Sequence, residues 1–229
     1  MDSVFEKAVL DFYKGQSSGK LLIHNTYGEP DEMPLDVYFR KESELSDLEL
    51  YALELCSGNV LDVGAATGAI TQILEERGVS VDALEISTTF CSIMQEEGLK
   101  SVINEDFLLR DIPQKYDTLL MMMNGFGLCG SIDRLPELFS AIDRHLAVDG
   151  QVIFDSSDLD YLYEGDKPDD KYYGEMDYRY EYNGELGDWF KWLYIDSETL
   201  AREAGKYGFE LQVLYIEETD QYLGRMTRE

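Results

Sequence analysis

The chain has 229 residues, 44% of them hydrophobic and 12% aromatic, which suits one packed domain with a modest insertion and excludes a disordered chain. Its 47 acidic residues outnumber 19 basic ones, for a net charge of −28. That field repels polyanions, so neither nucleic acid nor an anionic membrane is expected as a partner. No apolar run approaches the ~20 residues of a membrane span.

The N-terminus lacks the basic-then-apolar order of a secretion signal, and a cytoplasmic protein is expected. Cys56, Cys91 and Cys129 form no close pair, and His24 and His145 are too few for a histidine cluster. No disulfide framework and no metal site are expected.

Val4, Phe5, Ala8, Val9 and Phe12 recur at helical spacing before Gly15. Residues 15–33, rich in Gly, Ser, Asn and Pro, read as a loop or lid, and residues 1–42 together as an N-terminal helix and lid segment. A second helix is expected over 43–56, opening an α/β domain that spans 43–229. Short apolar runs then alternate with helical stretches. Strands are expected at 59–63, 79–84, 100–103, 116–122 and 150–155, and helices at 68–77, 88–97 and 133–145. Such alternation means βαβ units and a buried, doubly wound parallel sheet.

Past Asp155 the pattern breaks into an aromatic and acidic segment of about 160–195. Met176, Tyr178, Tyr180 and Tyr182 alternate, Asn183-Gly184 offers a turn, and Phe190, Trp192 and Tyr194 alternate on the return. An inserted β-hairpin is expected there, after the fifth strand. A helix over 197–207, capped by Asp196 or Ser197, leads to strands at 209–218 and 221–227. The turn between them is so short that they must be antiparallel, so the last strand opposes the rest.

The most informative stretch is Val60-Leu61-Asp62-Val63-Gly64-Ala65-Ala66-Thr67-Gly68. A buried strand runs into small residues and then a helix, which lets backbone N–H groups approach a ligand at the carboxyl edge of the sheet. Against the dinucleotide fingerprint the glycine register is poor, and Asp62 would repel a pyrophosphate. The same carboxylate suits an ammonium or sulfonium group. Glu85 ends the next strand about 20 residues on, where a carboxylate can hold ribose hydroxyls. Asp106 could accept from an exocyclic amine beside Phe107, whose ring offers a purine an apolar face. Met123-Asn124-Gly125 again allows close backbone approach.

These segments (LDVGAATGAI, LEIS, NEDF, YDTLLMMMNGFGLCG and the LPELFSAIDRHLAVDGQVIFDSSD block) together resemble the class I S-adenosylmethionine-dependent methyltransferases. The resemblance covers about residues 35–228. It implies a Rossmann-like sheet of seven mostly parallel strands with the last one antiparallel. It also implies S-adenosyl-L-methionine as cofactor and S-adenosyl-L-homocysteine as product. The loop Gly64, Ala65, Ala66 and Gly68 would surround the methionine portion, with Asp62 near its amino group. Glu85 would hold the ribose, with Ile86 also in the cofactor site, Asp106 and the Phe107 backbone would read the adenine, and backbone groups at Met123 and Asn124 would close the pocket. Arg40, in a Tyr-Phe-Arg segment, would take the carboxylate. The family commonly has glycine where this chain has Ala66.

Methyl transfer requires alignment and exclusion of water, with a base for oxygen acceptors. Candidates for that work are Asp155, Ser156, His24 and Tyr27. His145 is expected at a helix end, acting by its charge or packing on the surface. The aromatics of residues 161–194, interleaved with acids from Glu164 to Asp188, suit a small neutral or cationic acceptor. The same segment would equally serve as a surface for a homodimer. A cofactor-binding protein without transferase activity and a nicotinamide-dependent oxidoreductase are the alternatives.

Overall fold

The computed structural model describes residues 2–163 and 165–229; Glu164 lies outside them. Four of its helices start where a side-chain oxygen accepts an otherwise unpaired first-turn N–H. Asp2 caps α1 (Ser3–Tyr13) and Ser46 caps α2 (Asp47–Leu55). Between α1 and α2 lie the strands β1 (Leu21–Asn25) and β2 (Asp31–Met33). After β3 (Asn59–Val63), α3 (Ala69–Glu76) starts without a side-chain cap, at Gly68 in the left-handed conformation. β4 (Ser80–Leu84) leads to α4 (Thr88–Glu96), capped by Ser87. β5 (Val102–Ile103), β6 (Tyr116–Met121), α5 (Leu135–His145) and β7 (Leu146–Ser157) complete the alternating part. Then come β8 (Glu175–Tyr182), β9 (Glu185–Leu186), β10 (Phe190–Leu193), α6 (Ser197–Gly205) capped by Asp196, β11 (Phe209–Ile216) and β12 (Gln221–Arg228).

Seven strands form one sheet in the order β11-β12-β7-β6-β3-β4-β5. The pairs among β5, β4, β3, β6 and β7 are parallel, and β12 alone runs against the others, antiparallel to both β7 and β11. Side chains alternate along each strand, so the two faces feed two cores. Leu61, Leu119, Val152 and Phe154 pack with α5 and α6. Val60, Leu120, Ile153 and Leu223 pack with α2 and α3. This is the doubly wound arrangement that the strand–helix alternation demands.

A second sheet has the order β10-β8-β1-β2, with β9 also paired to β8. Here the structure departs from the reading of residues 15–33 as a loop. Leu21–Asn25 lies antiparallel to Tyr182–Tyr178, and Leu21–Ile23 to Met33–Asp31. The aromatic strand β8 is thus not the edge of a free hairpin but an inner strand of a sheet shared with the N-terminal segment. β9 and β10 return beside it, offset by the stretch 187–189.

Helix α1 packs on this sheet and on α4, joining Val4, Phe5, Ala8 and Val9 to Leu21, Tyr38, Phe90 and Tyr182. Asp2 also accepts from the Asp188 N–H at 3.0 Å, fastening the start of α1 to the β9–β10 connection. Two boundaries differ as well. Helix α2 starts at Asp47, after a 3₁₀ turn at Glu42–Glu44, because Ser46 and Glu49 form a capping box. Strand β7 starts directly at Leu146, where helix α5 ends, without an intervening loop.

Candidate active site

A cavity of about 1070 Å³ lies between the carboxyl edge of the parallel sheet and the second sheet. One wall is backbone. Gly64 (φ +75) has nothing within 4 Å of where a side chain would project, so the chain faces open space there. Ala66 follows at φ +50, a left-handed conformation costing a non-glycine residue about 1 kcal/mol. Its N–H donates to Glu85 Oε2 at 3.0 Å, while the Ser87 N–H donates to Oε1 at 2.7 Å. Glu85 is only 2% exposed yet lines the cavity. Burial pushes its carboxyl up, against those N–H groups that hold the charged form.

Beside the loop is a small recess touched by Asp62, Ala65, Tyr38, Met122 and Arg40. Asp62 is buried and accepts from Thr71 Oγ1 at 2.6 Å; burial pushes its carboxyl up to about 6. The Arg40 guanidinium is already engaged. Its Nη1 donates to Glu49 Oε2 at 3.1 Å, its Nη2 to Oε1, and its Nε to the Val37 carbonyl at 3.1 Å. One proton remains on each terminal nitrogen. Glu49 lines the cavity and was missed from the sequence; the capping spacing Ser46-x-x-Glu49 was the available signal.

Toward β5, Ile86 is 48% exposed, and Asp106 and Phe107 stand on the same cavity wall. Asp106 Oδ1 accepts from the Leu108 and Leu109 N–H groups at 2.8 and 3.2 Å, leaving Oδ2 without a partner among the described residues. Beyond β6, Met123 (φ +58) and Asn124 (φ +56) are consecutive left-handed residues. The turn is pinned by Asp155, whose Oδ2 accepts from the Asn124 N–H at 3.0 Å and from Gln221 Nε2 at 2.7 Å. Asp155 Oδ1 is buried with no partner among the described residues, and burial pushes the carboxyl up to about 6.

Several expected residues lie elsewhere. Gly68 faces α4, where a side chain would meet Leu99 at 2.6 Å and Met94 at 2.8 Å, so its role is packing. Ala65 reaches only the recess. Ser156 is buried and accepts from the Ile195 N–H at 3.0 Å, away from the cavity. His24 follows Ile23, which lines the cavity, so strand alternation turns it to the outer face, 2.7 Å from Glu181. Tyr27 sits 5.9 Å edge-on to Tyr163 and lines neither cavity nor recess. His145 is fully buried rather than superficial. Its Nδ1–H donates to the Ala141 carbonyl at 2.8 Å, its Nε2 accepts from the Ile112 N–H at 3.3 Å, its ring packs on Phe107, and burial lowers its pKa, favouring the neutral ring.

A sheet of this order with one antiparallel strand and a ligand cavity at its carboxyl edge defines the class I S-adenosylmethionine-dependent methyltransferases. The chain belongs to the methyltransferase domain family, whose model matches residues 38–214. A SAM-dependent methyltransferase from Bacteroides fragilis, solved in complex with S-adenosyl-L-homocysteine, is 34% identical. That match covers 98% of this chain and 94% of the other, with a TM-score of 0.90.

Two more distant structures share the fold. The CcbJ methyltransferase from Streptomyces caelestis is 16% identical over 84% of this chain and 95% of its own (TM-score 0.65). The glycopeptide N-methyltransferase MtfA, complexed with S-adenosyl-L-methionine, is 14% identical over 80% and 93% (TM-score 0.59). Among curated proteins none matches the chain. The protein is an enzyme that transfers a methyl group from S-adenosylmethionine, which sets aside the oxidoreductase and the non-catalytic alternatives. Among the described residues, no helix is long and apolar enough to cross a membrane.

Proposed function

We propose that S-adenosylmethionine lies along the backbone wall of the cavity and that a small-molecule acceptor enters beneath the second sheet. The observation that carries this reading is Glu85. It is a buried carboxylate on the cavity wall, held in place by two backbone N–H groups and opposite the open space at Gly64. Each of its oxygens keeps a lone pair for a ribose hydroxyl. The other groups fit the same ligand. Asp106 Oδ2 is free to accept from an exocyclic amine between the apolar surfaces of Ile86 and Phe107. Asp62 and Arg40 line the recess and Glu49, paired with Arg40, lines the adjoining cavity, so two negative charges and one positive stand near an amino acid end bearing an extra cationic sulfur.

When bound, the cofactor supplies a methyl group already activated on a sulfonium. The chain supplies position and dryness. The strained Met123–Asn124 turn, clamped by Asp155, fixes one side of the cavity, and α1 with the second sheet covers the other. Such preorganisation is the main lever a protein has on an in-line displacement that needs no covalent intermediate.

Calorimetric titration with S-adenosylhomocysteine tests the placement. Micromolar binding by the wild type should weaken ten-fold or more in Glu85→Gln, about 1.4 kcal/mol, with the melting temperature monitored alongside. An unchanged affinity in a folded Glu85→Gln would remove Glu85 from the site.

A further inference from the structure

We propose that the acceptor is a cationic amine, methylated on nitrogen and held by the aromatic rings of the second sheet. This rests on the cofactor placement given above. The wall facing the cofactor end is built from Tyr178, Tyr180, Phe190, Trp192 and Tyr194, all half-buried and all lining the cavity. Their rings form a connected series. Tyr180 stacks on Phe190 at 5.1 Å, Phe190 meets Tyr178 at 6.0 Å, and Tyr178 meets Tyr194 edge-on at 6.4 Å. Trp192 sits directly on Gly127, where a side chain would come within 2.0 Å of its Nε1, so the indole joins this wall to the turn after β6.

Elsewhere the chain uses its own cations to cover ring faces. Lys7 lies over Tyr182, Lys167 over Tyr173, Lys171 over Tyr27, Arg179 over Trp189 and Arg228 over Phe209. Among the described residues, none of the five cavity rings carries such a partner. The surrounding charge favours the same guest. Eight carboxylate side chains line the cavity against two basic ones, and both of those are committed: Arg40 to Glu49, and Lys191 to Glu175 at 3.7 Å. Tyr180 already stacks on both Phe5 at 4.8 Å and Phe190, so Tyr178, Phe190, Trp192 and Tyr194 are the rings left to meet a guest, and aromatic rings in a negative cavity attract a cation.

Nitrogen is the fitting acceptor atom. Neither histidine reaches the cavity, since His24 points outward and His145 lies under Phe107, so no imidazole is placed to deprotonate a hydroxyl. An amine requires no base in the step itself. Once its proton has gone to water, its lone pair forms the bond to the methyl carbon. That carbon's bond to sulfur breaks, and both electrons stay on sulfur.

The test uses the protein saturated with S-adenosylhomocysteine. Its two tryptophans are Trp189 and Trp192, so Trp189→Phe protein reports on Trp192 alone. Choline, its neutral isostere 3,3-dimethylbutan-1-ol and the anion 3,3-dimethylbutanoate are titrated by fluorescence and by calorimetry. Choline should bind at least ten-fold more tightly than the alcohol, and the anion not at all. By calorimetry, Trp192→Leu should weaken choline ten-fold or more, with Trp192→Phe restoring it to within three-fold.

Equal binding of choline and the alcohol, preference for the anion, or full affinity in Trp192→Leu would each overturn the proposal. Choline selectivity without any S-adenosylhomocysteine binding would support the aromatic site and overturn the cofactor placement instead.

Discussion

The two walls of the cavity are made of different materials. The wall at the parallel sheet is backbone: Gly64 facing open space, Ala66, Met123 and Asn124 in left-handed conformations, and two carboxylates spent on holding N–H groups. The wall opposite is side chain, a run of half-buried aromatic rings on ordinary extended strands. A backbone wall encodes one shape, and a substitution in it acts through strain. A side-chain wall can be repopulated without disturbing the chain beneath it. Cofactor recognition and acceptor recognition thus sit on parts of the fold with different tolerance for change.

The sharpest way to break that contrast is with glycines. Gly68→Ala sets a left-handed residue (φ +84) against Leu99 and Met94, and should cost about 3 kcal/mol in urea unfolding. Gly64→Ala also meets a positive φ but no neighbour. It should cost only about 1 kcal/mol of stability while weakening S-adenosylhomocysteine in calorimetry. Equal stability losses would mean that the space before Gly64 is not open.

The buried carboxylates come next. Asp155 and Asp62 are each raised from 3.8 to about 6. The folded state therefore holds these protons more tightly than the unfolded chain, and their contribution is complete below about pH 4 and lost as pH rises through about 6. For Asp155 that span corresponds to about 3 kcal/mol. Stability measured by urea at pH 5 and pH 7.5 should differ less in Asp155→Asn than in the wild type. An identical pH difference would show that Asp155 stays charged throughout.

Ala66→Gly should raise stability by a smaller amount, about 1 kcal/mol, by relieving the left-handed strain at φ +50. A loss of stability on thermal unfolding would mean that the methyl group's packing beside α1 outweighs the strain. Smallest of all, His24→Gln on the outer face of β1 should alter stability by less than 1 kcal/mol and leave S-adenosylhomocysteine affinity within two-fold. A ten-fold loss would place the outer face in contact with the site after all.

The backbone wall is largely legible in the sequence. Strand 59–63, the loop after it and Glu85 are local signals, because period-2 runs, small residues and a strand-end acid all declare themselves within about 25 residues. The second sheet was half legible. Alternation and Asn183-Gly184 marked β8 and its turn, but β1 looked like loop because LLIHN is short and flanked by turn-formers. Its strand character comes from pairing with Tyr178–Tyr182, which no local pattern encodes. Placing His24 and Tyr27 near the chemistry failed for the same reason: which face a strand residue takes depends on the partner strand. Neither Asp155 nor Ser156 lines the cavity: Asp155 is spent under the Asn124 turn, and Ser156, its neighbour on the strand, points the opposite way toward Ile195. Arg40 was found without Glu49, since one acid on a helix in so acidic a chain carries little information.

The shared sheet also sets a timetable for synthesis. His24 and Glu181, side by side on β1 and β8, are 157 positions apart. At ribosomal rates of about 5–20 residues per second, β1 emerges roughly 10–30 s before its partner exists. During that wait the parallel strands through β7 can assemble, while residues 21–33 hold unpaired edges in solvent. The roof of the cavity is therefore completed after the parallel strands of its floor and before β11 and β12, although its first strand precedes all of them in the chain.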